Sequence, residues 1–188
     1  MAVLTLEISK SAVLDEVFKQ TAYVGAKITQ SDGTNAYDKI YATDDDAAMM
    51  ERFWKEAIAF TTGNLKLYLK SCQTTKTVNV PSEIETSPAT TTNVTSEIET
   101  SPAIATSALT LTIVLSMPEG RYNISQKNSI VVSLYSYFVN YMTARWMAIT
   151  NKPEAEYYEK YAQTSMEDVM RKVFSKTRPA KPATTQAP

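Results

Sequence analysis

Hydrophobic residues recur every third or fourth position over most of the chain, and this period predicts amphipathic α-helices. A first helix should follow Ser9 and Ser11, either of which can cap its free amide groups. A second should begin at residues 43 to 46, where Thr43 can cap the free amide groups and three aspartates lie at the positive end of the helix dipole. Two more should lie on either side of the helix-breaking residues 150 to 153. The fold class is therefore expected to be mainly α, with a helical bundle as the body.

Strict alternation of apolar and polar residues marks strands in two other places. Near the N-terminus, Leu4, Leu6 and Ile8 alternate with polar residues and predict a short strand or an extended arm. The clearest alternation ends just before Pro118 and contains Leu109, Leu111, Ile113, Leu115 and Met117. We expect a long β-hairpin-like arm over residues 74 to 117, inserted between the second and third main helices.

The centre of this predicted arm is a tandem duplication, because residues 79 to 89 return as residues 93 to 103 with one change, Pro81 to Thr95. In an extended chain the apolar residues of each copy fall on one side and the glutamates on the other. The predicted contacts of the arm with a neighbouring molecule are Val80, Ile84, Val94 and Ile98. A Ser/Thr-rich loop without regular structure is the alternative, because so few apolar residues are available to order it.

These patterns divide the chain into four parts. Residues 1 to 73 are the N-terminal segment and first helical half, and residues 74 to 117 are the arm. Residues 118 to 175 form a helical hairpin that completes the bundle, and residues 176 to 188 are a Pro-rich basic tail. The tail is predicted to contact an acidic surface through Lys176, Arg178 and Lys181.

Composition and charge exclude several classes of function. Nineteen basic residues against 20 acidic residues give a formal net charge of -1, so no positive field collects phosphates and no sequence-specific nucleic acid partner is expected. Cys72 is the single cysteine, which excludes a disulfide within the chain. The N-terminal residues carry no secretion signal, and no apolar run approaches the roughly 20 residues that span a bilayer, so no membrane partner is expected.

Residues that carry chemistry are scarce. The chain has no histidine and four glycines, none of them in a phosphate-binding motif. The acidic triplet at residues 44 to 46 is interpreted as a helix start, because consecutive helical residues point in different directions and cannot share a cation. The glutamates of the repeats are interpreted as a solvated face, because catalytic carboxylate pairs need rigid surroundings. We expect no enzymatic activity, no metal and no cofactor.

Aromatic residues are abundant, with 11 tyrosines and two tryptophans. Such side chains suit protein interfaces, although many of them belong to the core of a helical bundle. We predict self-association through the two C-terminal helices, with an interface formed by Tyr135, Tyr137, Phe138, Tyr141, Trp146, Tyr157, Tyr158 and Tyr161.

The order of elements resembles a known family. An acidic-capped helix over residues 44 to 57 runs into Thr62-Gly63-Asn64-Leu65, and a β-type excursion, a long helix over residues 118 to 146 and one more helix follow. This order resembles the head-tail connector (adaptor) proteins of tailed bacteriophages over residues 9 to 175. The arm is larger than the usual loop of that family, an elaboration that we would look for in crAss-like phages.

The resemblance implies a non-enzymatic virion structural protein, assembled in the host cytoplasm, that forms a ring in the phage neck. The implied partners are other copies of the chain in a dodecameric ring, the portal protein, and the next neck or tail ring protein. Two alternatives are a helical oligomeric DNA-packaging or regulatory protein of the small-terminase kind and an unrecognised helical enzyme.

Overall fold

A computed structural model describes residues 2 to 28, 36 to 77, 108 to 117 and 124 to 174. In chain order the elements are β1 (Ala2–Ser9), α1 (Lys10–Lys27), α2 (Tyr37–Ile40), α3 (Ala47–Leu65), β2 (Leu69–Thr77), β3 (Ala108–Met117), α4 (Lys127–Thr150) and α5 (Lys152–Phe174). Short 3-10 turns at Asp44–Asp46 and Ile124–Gln126 precede α3 and α4. The predicted fold class is confirmed: the protein is mainly α, with a β-hairpin between α3 and α4.

The long helix α4 is the centre of the bundle. It packs along α5, which follows it after a tight turn at Asn151, and it also contacts α1, α3 and β1. Because α4 has neighbours on several sides, its buried residues face almost every direction, as the wide apolar face predicted. Phe138 of α4 and Trp54 of α3 meet in the core with their ring centroids 4.7 Å apart.

The three strands form an antiparallel sheet in the order β1-β3-β2. Leu6 of β1 lies opposite Ile113 of β3, and Cys72 of β2 lies opposite Ile113 on the other side. Four alternating residues of β3 are buried against the helices, namely Leu111, Ile113, Leu115 and Met117. The predicted N-terminal strand is confirmed, since β1 is one edge of this sheet.

The predicted boundaries of the arm need correction. β2 begins at Leu69, five residues before the predicted start of the arm, so α3 stops at Leu65 and Leu69 does not extend it. β3 is the central strand of the sheet and contributes to the core, because β1 and β2 both pair with it. Residues 78 to 107, which contain the tandem repeat, lie outside the described residues.

The capping residues at the starts of α1 and α3 were both predicted, but one of them has the opposite hydrogen-bonding role. The side chain of Ser9 accepts a hydrogen bond from the amide of Ala12 at 3.4 Å, so it caps α1 as predicted. At the start of α3 the predicted cap, Thr43, is instead a donor: its amide and hydroxyl both donate to the carboxylate of Asp46, at 3.0 Å and 3.2 Å. The acidic residue therefore holds the turn before α3 closed.

Candidate functional site

The eight aromatic residues predicted at an oligomer interface lie at three different depths. Phe138 is fully buried and Trp146 is 7% exposed, so both belong to the core of this chain and are corrected from interface to core. Tyr137 is also buried, whereas Tyr157 and Tyr161 are 54% and 48% exposed. The half-buried members of the predicted set are Tyr135, Tyr141 and Tyr158.

Tyr157 and Tyr161 form a tyrosine patch on the outer side of α5. Their ring centroids are 4.5 Å apart, one helical turn along the same face. The residues that α5 buries against α4 include Ala162, Met166 and Val169 on the inner side. Tyr157 and Tyr161 therefore lie outside the contact with α4, and both rings are available to another molecule.

A second aromatic surface, the aromatic groove, lies where the end of α3 meets α4 and α5. Phe60 is 51% exposed, and its ring stacks on Tyr137 and Tyr141 with centroid distances of 6.0 Å and 6.5 Å. The groove encloses about 290 Å³, and on the α5 side it is lined by residues that include Glu159 and Glu167. It combines stacked rings with charged side chains along its edge.

The cation in this groove is held by its own neighbours. Arg145 donates from Nε and Nη2 to the hydroxyl of Tyr141, both at 3.1 Å, and its guanidinium lies over the Tyr141 ring. The carboxylate of Glu56 is 3.7 Å from Arg145 Nε and also accepts from Arg52. The two carboxylates on the α5 side, Glu159 and Glu167, are exposed. The groove therefore presents net negative charge to a ligand.

The hydroxyl of Tyr137 is the one buried side-chain polar atom without a hydrogen-bond partner among the described residues. Burial raises the pKa of Tyr137, and the neighbouring Tyr141 adds to this rise. Thr61 and Arg145 partly offset this rise in pKa. The Thr61 hydroxyl donates its proton to the carbonyl oxygen of Ala57 at 2.8 Å, so that proton is not shared with the phenol. Tyr137 contributes to the lining of the groove, and its hydroxyl lies beneath the surface.

One side-chain cluster has the residue types of a nucleophilic site. Ser133 Oγ lies 2.7 Å from a carboxylate oxygen of Asp168 and 2.8 Å from Lys172 Nζ, which also pairs with Asp168. Lys172 donates to both oxygens and is engaged in an ion pair, so it does not act as a base toward Ser133. Hydrogen bonds from Lys172 and Ser133 lower the pKa of Asp168. The cluster is therefore an ion pair within α5 that is hydrogen-bonded to Ser133 of α4.

The remaining residues of chemical interest do not assemble into a site. Among the described residues, no three His, Cys, Asp or Glu side chains lie together as metal ligands. Cys72 is half-buried in β2, and burial raises the pKa of its thiol, which disfavours the reactive thiolate. Within the same parts of the chain no helix has the length and apolar content needed to cross a membrane.

Sequence reasoning did not single out Phe60, which supplies the exposed ring of the groove. A signal was present, because Phe60 follows Phe53 and Ala57 at helical spacing and widens the apolar face of α3. The predicted arm contacts (Val80, Ile84, Val94 and Ile98) and the predicted tail contacts (Lys176, Arg178 and Lys181) lie outside the described residues.

Comparison with family models, curated proteins and solved structures gave no match to this chain.

Proposed function

We propose that the protein is a non-enzymatic structural subunit that assembles into a ring in the neck of a tailed bacteriophage. The observation that carries this proposal is the tyrosine patch, a pair of exposed aromatic side chains on the outer side of α5. Exposed groups of aromatic side chains mark protein contact sites, because Tyr and Phe bury large apolar areas on binding.

The two surfaces point in different directions. On α5, Tyr157 and Tyr161 are each two residues from a groove residue, Glu159 and Gln163 respectively. Two residues correspond to about 200° around an α-helix, so the patch and the groove lie on opposite sides of α5. The patch therefore stays exposed when the groove is filled, and it can join a different surface of the next copy in a head-to-tail interface that closes into a ring.

The assignment to a phage neck rests on the order of elements. A helix with an acidic start, a β-hairpin, a long central helix and a final helix follow one another as in the head-tail connector proteins that the sequence resembles. In that arrangement the partners of the ring are the portal protein on one side and the next neck or tail ring protein on the other. The ring joins these components mechanically and performs no chemical step.

The proposal is tested by measuring assembly of the full chain. Native mass spectrometry and negative-stain electron microscopy, on the chain alone and mixed with purified portal, should show closed rings. A Tyr157→Ser/Tyr161→Ser variant should shift the population toward monomers, because the patch loses its two rings. Tyr23→Ser is the matched control, since Tyr23 is 61% exposed on α1, outside the patch.

Monomers in both conditions would refute the proposal, as would an equal loss of assembly in the Tyr23 control. Duplex DNA provides a further comparison. If the chain bound DNA with an affinity that fell steeply with salt, a DNA-packaging role would replace the neck role, because that salt dependence reports neutralised phosphates.

A further inference from the structure

The aromatic groove has the chemistry of a site for an extended, proline-rich peptide. Such peptides form a polyproline helix that has no internal hydrogen bonds, and they dock on grooves lined by aromatic rings with little loss of entropy. Phe60, Tyr137 and Tyr141 supply three stacked rings in one cleft of about 290 Å³. The ligand class suggested by this surface is therefore a proline-rich segment.

The chain itself contains a segment of this class. Residues 178 to 182 read Arg-Pro-Ala-Lys-Pro, with two prolines three positions apart and two basic side chains. A polyproline helix has three residues per turn, so prolines spaced as Pro179 and Pro182 are would share one edge of such a helix and could both meet aromatic rings. The segment begins four residues after Phe174, the last residue of α5.

The charges of the segment and of the groove are complementary in sign and spacing. Arg178 and Lys181 are about 9 Å apart along a polyproline helix. Glu167 and Glu159, on the α5 side of the groove, are about 12 Å apart along an α-helix, and long side chains cover the difference. Arg145, the cation of the groove, is held by Tyr141 of α4 and Glu56 of α3, and Glu159 also attracts it.

The length of the segment fits the groove when the chain reverses after α5. Five residues of polyproline helix span about 15 Å. The α5 wall from Glu159 to Met170 is about 16 Å long, and Phe174 lies about 6 Å beyond it. Only residues 175 to 177 separate Phe174 from the segment, so the local concentration of the segment at the groove is high. In this direction Arg178 comes to Glu167 and Lys181 continues toward Glu159.

We propose that the aromatic groove is a binding site for a basic, proline-rich segment, and that residues 178 to 182 of the same chain occupy it by folding back along α5. The prolines lie on Phe60 and Tyr141, and the two basic side chains pair with the carboxylates of α5. This contact lies within one chain and does not depend on ring assembly.

The test is a distance measurement within the full chain by double electron-electron resonance. Cys72→Ser removes the native thiol, and nitroxide labels are attached through Thr164→Cys and Thr184→Cys. Thr164 is exposed on α5 outside the groove lining, so its label leaves the groove open. Labelled protein is diluted into excess unlabelled protein, which removes distances between different copies.

A short, narrow distance population that survives dilution is the expected result. Pro179→Ala/Pro182→Ala and Phe60→Ser should each abolish it, because they remove the ligand edge and the exposed ring. The controls Pro188→Ala and Leu67→Ser should keep it, since Pro188 lies outside the segment and Leu67 is 75% exposed away from the groove.

Three outcomes would overturn the proposal. The first is a broad distance distribution in the unmodified segment, which would mean that the groove is not its binding site. The second is loss of the short distances on dilution, which would assign the segment to the groove of another copy. The third is a short population that persists in both the proline variant and the Phe60 variant.

Discussion

Two buried aromatic residues of α4 differ in whether their polar atom is hydrogen-bonded. Trp146 donates from Nε1 to the carbonyl oxygen of Ile40 at 2.6 Å, so the indole fastens α2 to α4. The phenol of Tyr137 has no such acceptor among the described residues. Leaving a buried donor unpaired costs about 1–3 kcal/mol, a cost that the hydrogen bond of Trp146 avoids.

The stability of the fold should fall at alkaline pH partly through Tyr137. Its pKa is raised in the folded protein, so folding favours the neutral phenol. The stability linked to this group is present below the ordinary tyrosine pKa of about 10 and is lost as the pH rises above it. Tyr137→Phe should therefore lose less stability between pH 9 and pH 11 than the unmodified protein, as measured by urea unfolding at each pH.

Tyr23→Phe is the control, because Tyr23 is 61% exposed and the Lys27 ammonium lies over its ring. Burial also raises the pKa of Tyr135 and Tyr158, so the alkaline effect should shrink in Tyr137→Phe without vanishing. Equal pH dependence in Tyr137→Phe and the unmodified protein would show that the phenol ionises freely in the fold.

Two glycines, both within helices, should respond oppositely to alanine. A Cβ on Gly25 would lie 2.9 Å from the Cα of Tyr37, where the end of α1 touches the backbone of α2. Gly25→Ala should destabilise the protein by about 1–3 kcal/mol, because the backbone of α2 must move. At Gly63, in the exposed part of α3, nothing lies within 4 Å of the added Cβ. Gly63→Ala should instead stabilise by about 0.5–1 kcal/mol through helix propensity.

Urea unfolding at one fixed protein concentration measures both changes, since self-association would otherwise add to the apparent stability. If Gly25→Ala were as stable as the unmodified protein, α1 and α2 would not be in the close contact described. If Gly63→Ala were destabilised, α3 would be interrupted at this residue.

At the scale of elements, periodicity predicted which segments are helices and strands but could not predict their partners. The alternation in residues 109 to 117 indicated a strand, and its buried residues are those that alternation selects. Its place at the centre of the sheet depends on β1, more than 100 residues earlier in the chain. Alternation describes one strand at a time, so β3 was assigned to the arm when it belongs to the core.

The pairing of β1 with β3 should contribute strongly to stability. Leu6 is fully buried in the main hydrophobic core and lies opposite Ile113, whereas Val3 of the same strand is 57% exposed. Leu6→Ala should reduce the free energy of unfolding by about 2–5 kcal/mol, because it leaves a cavity under the sheet. Val3→Ala, the matched control, should change it by less than about 0.5 kcal/mol. Equal effects in urea unfolding would mean that β1 is not anchored in the core.

At the scale of the whole molecule, the two contact surfaces depend on how three helices meet. Sequence reasoning identified the tyrosines of α4 and α5, and Tyr157 and Tyr161 are exposed as a contact requires. It could not separate them from Phe138 and Trp146, because all four lie on helices with wide aromatic faces. The groove was not predicted, since Phe60 on α3 meets Tyr137 on α4 only in the folded bundle.

The tandem repeat should be separable from the folded body. β2 ends at Thr77 and β3 begins at Ala108, and these two residues pair at the end of the hairpin. Deleting residues 79 to 103 leaves five residues to connect the strands, which is a common length for a hairpin loop. Shortening the connection from 30 residues to five should stabilise the body by about 1–2 kcal/mol, because a shorter loop costs less entropy to close.

The same deletion should prevent the next neck component from attaching, if the repeats add as strands to a neighbouring ring through Val80, Ile84, Val94 and Ile98. A second variant replaces these four residues with serine and keeps the length of the connection, so it separates lost contacts from lost length. Both variants should give rings on the portal that fail to recruit the next component, as seen by electron microscopy of assembled particles. Complete particles from either variant would contradict a role of the repeats in attachment, and a loss of helical circular dichroism would show that the repeats support the fold instead.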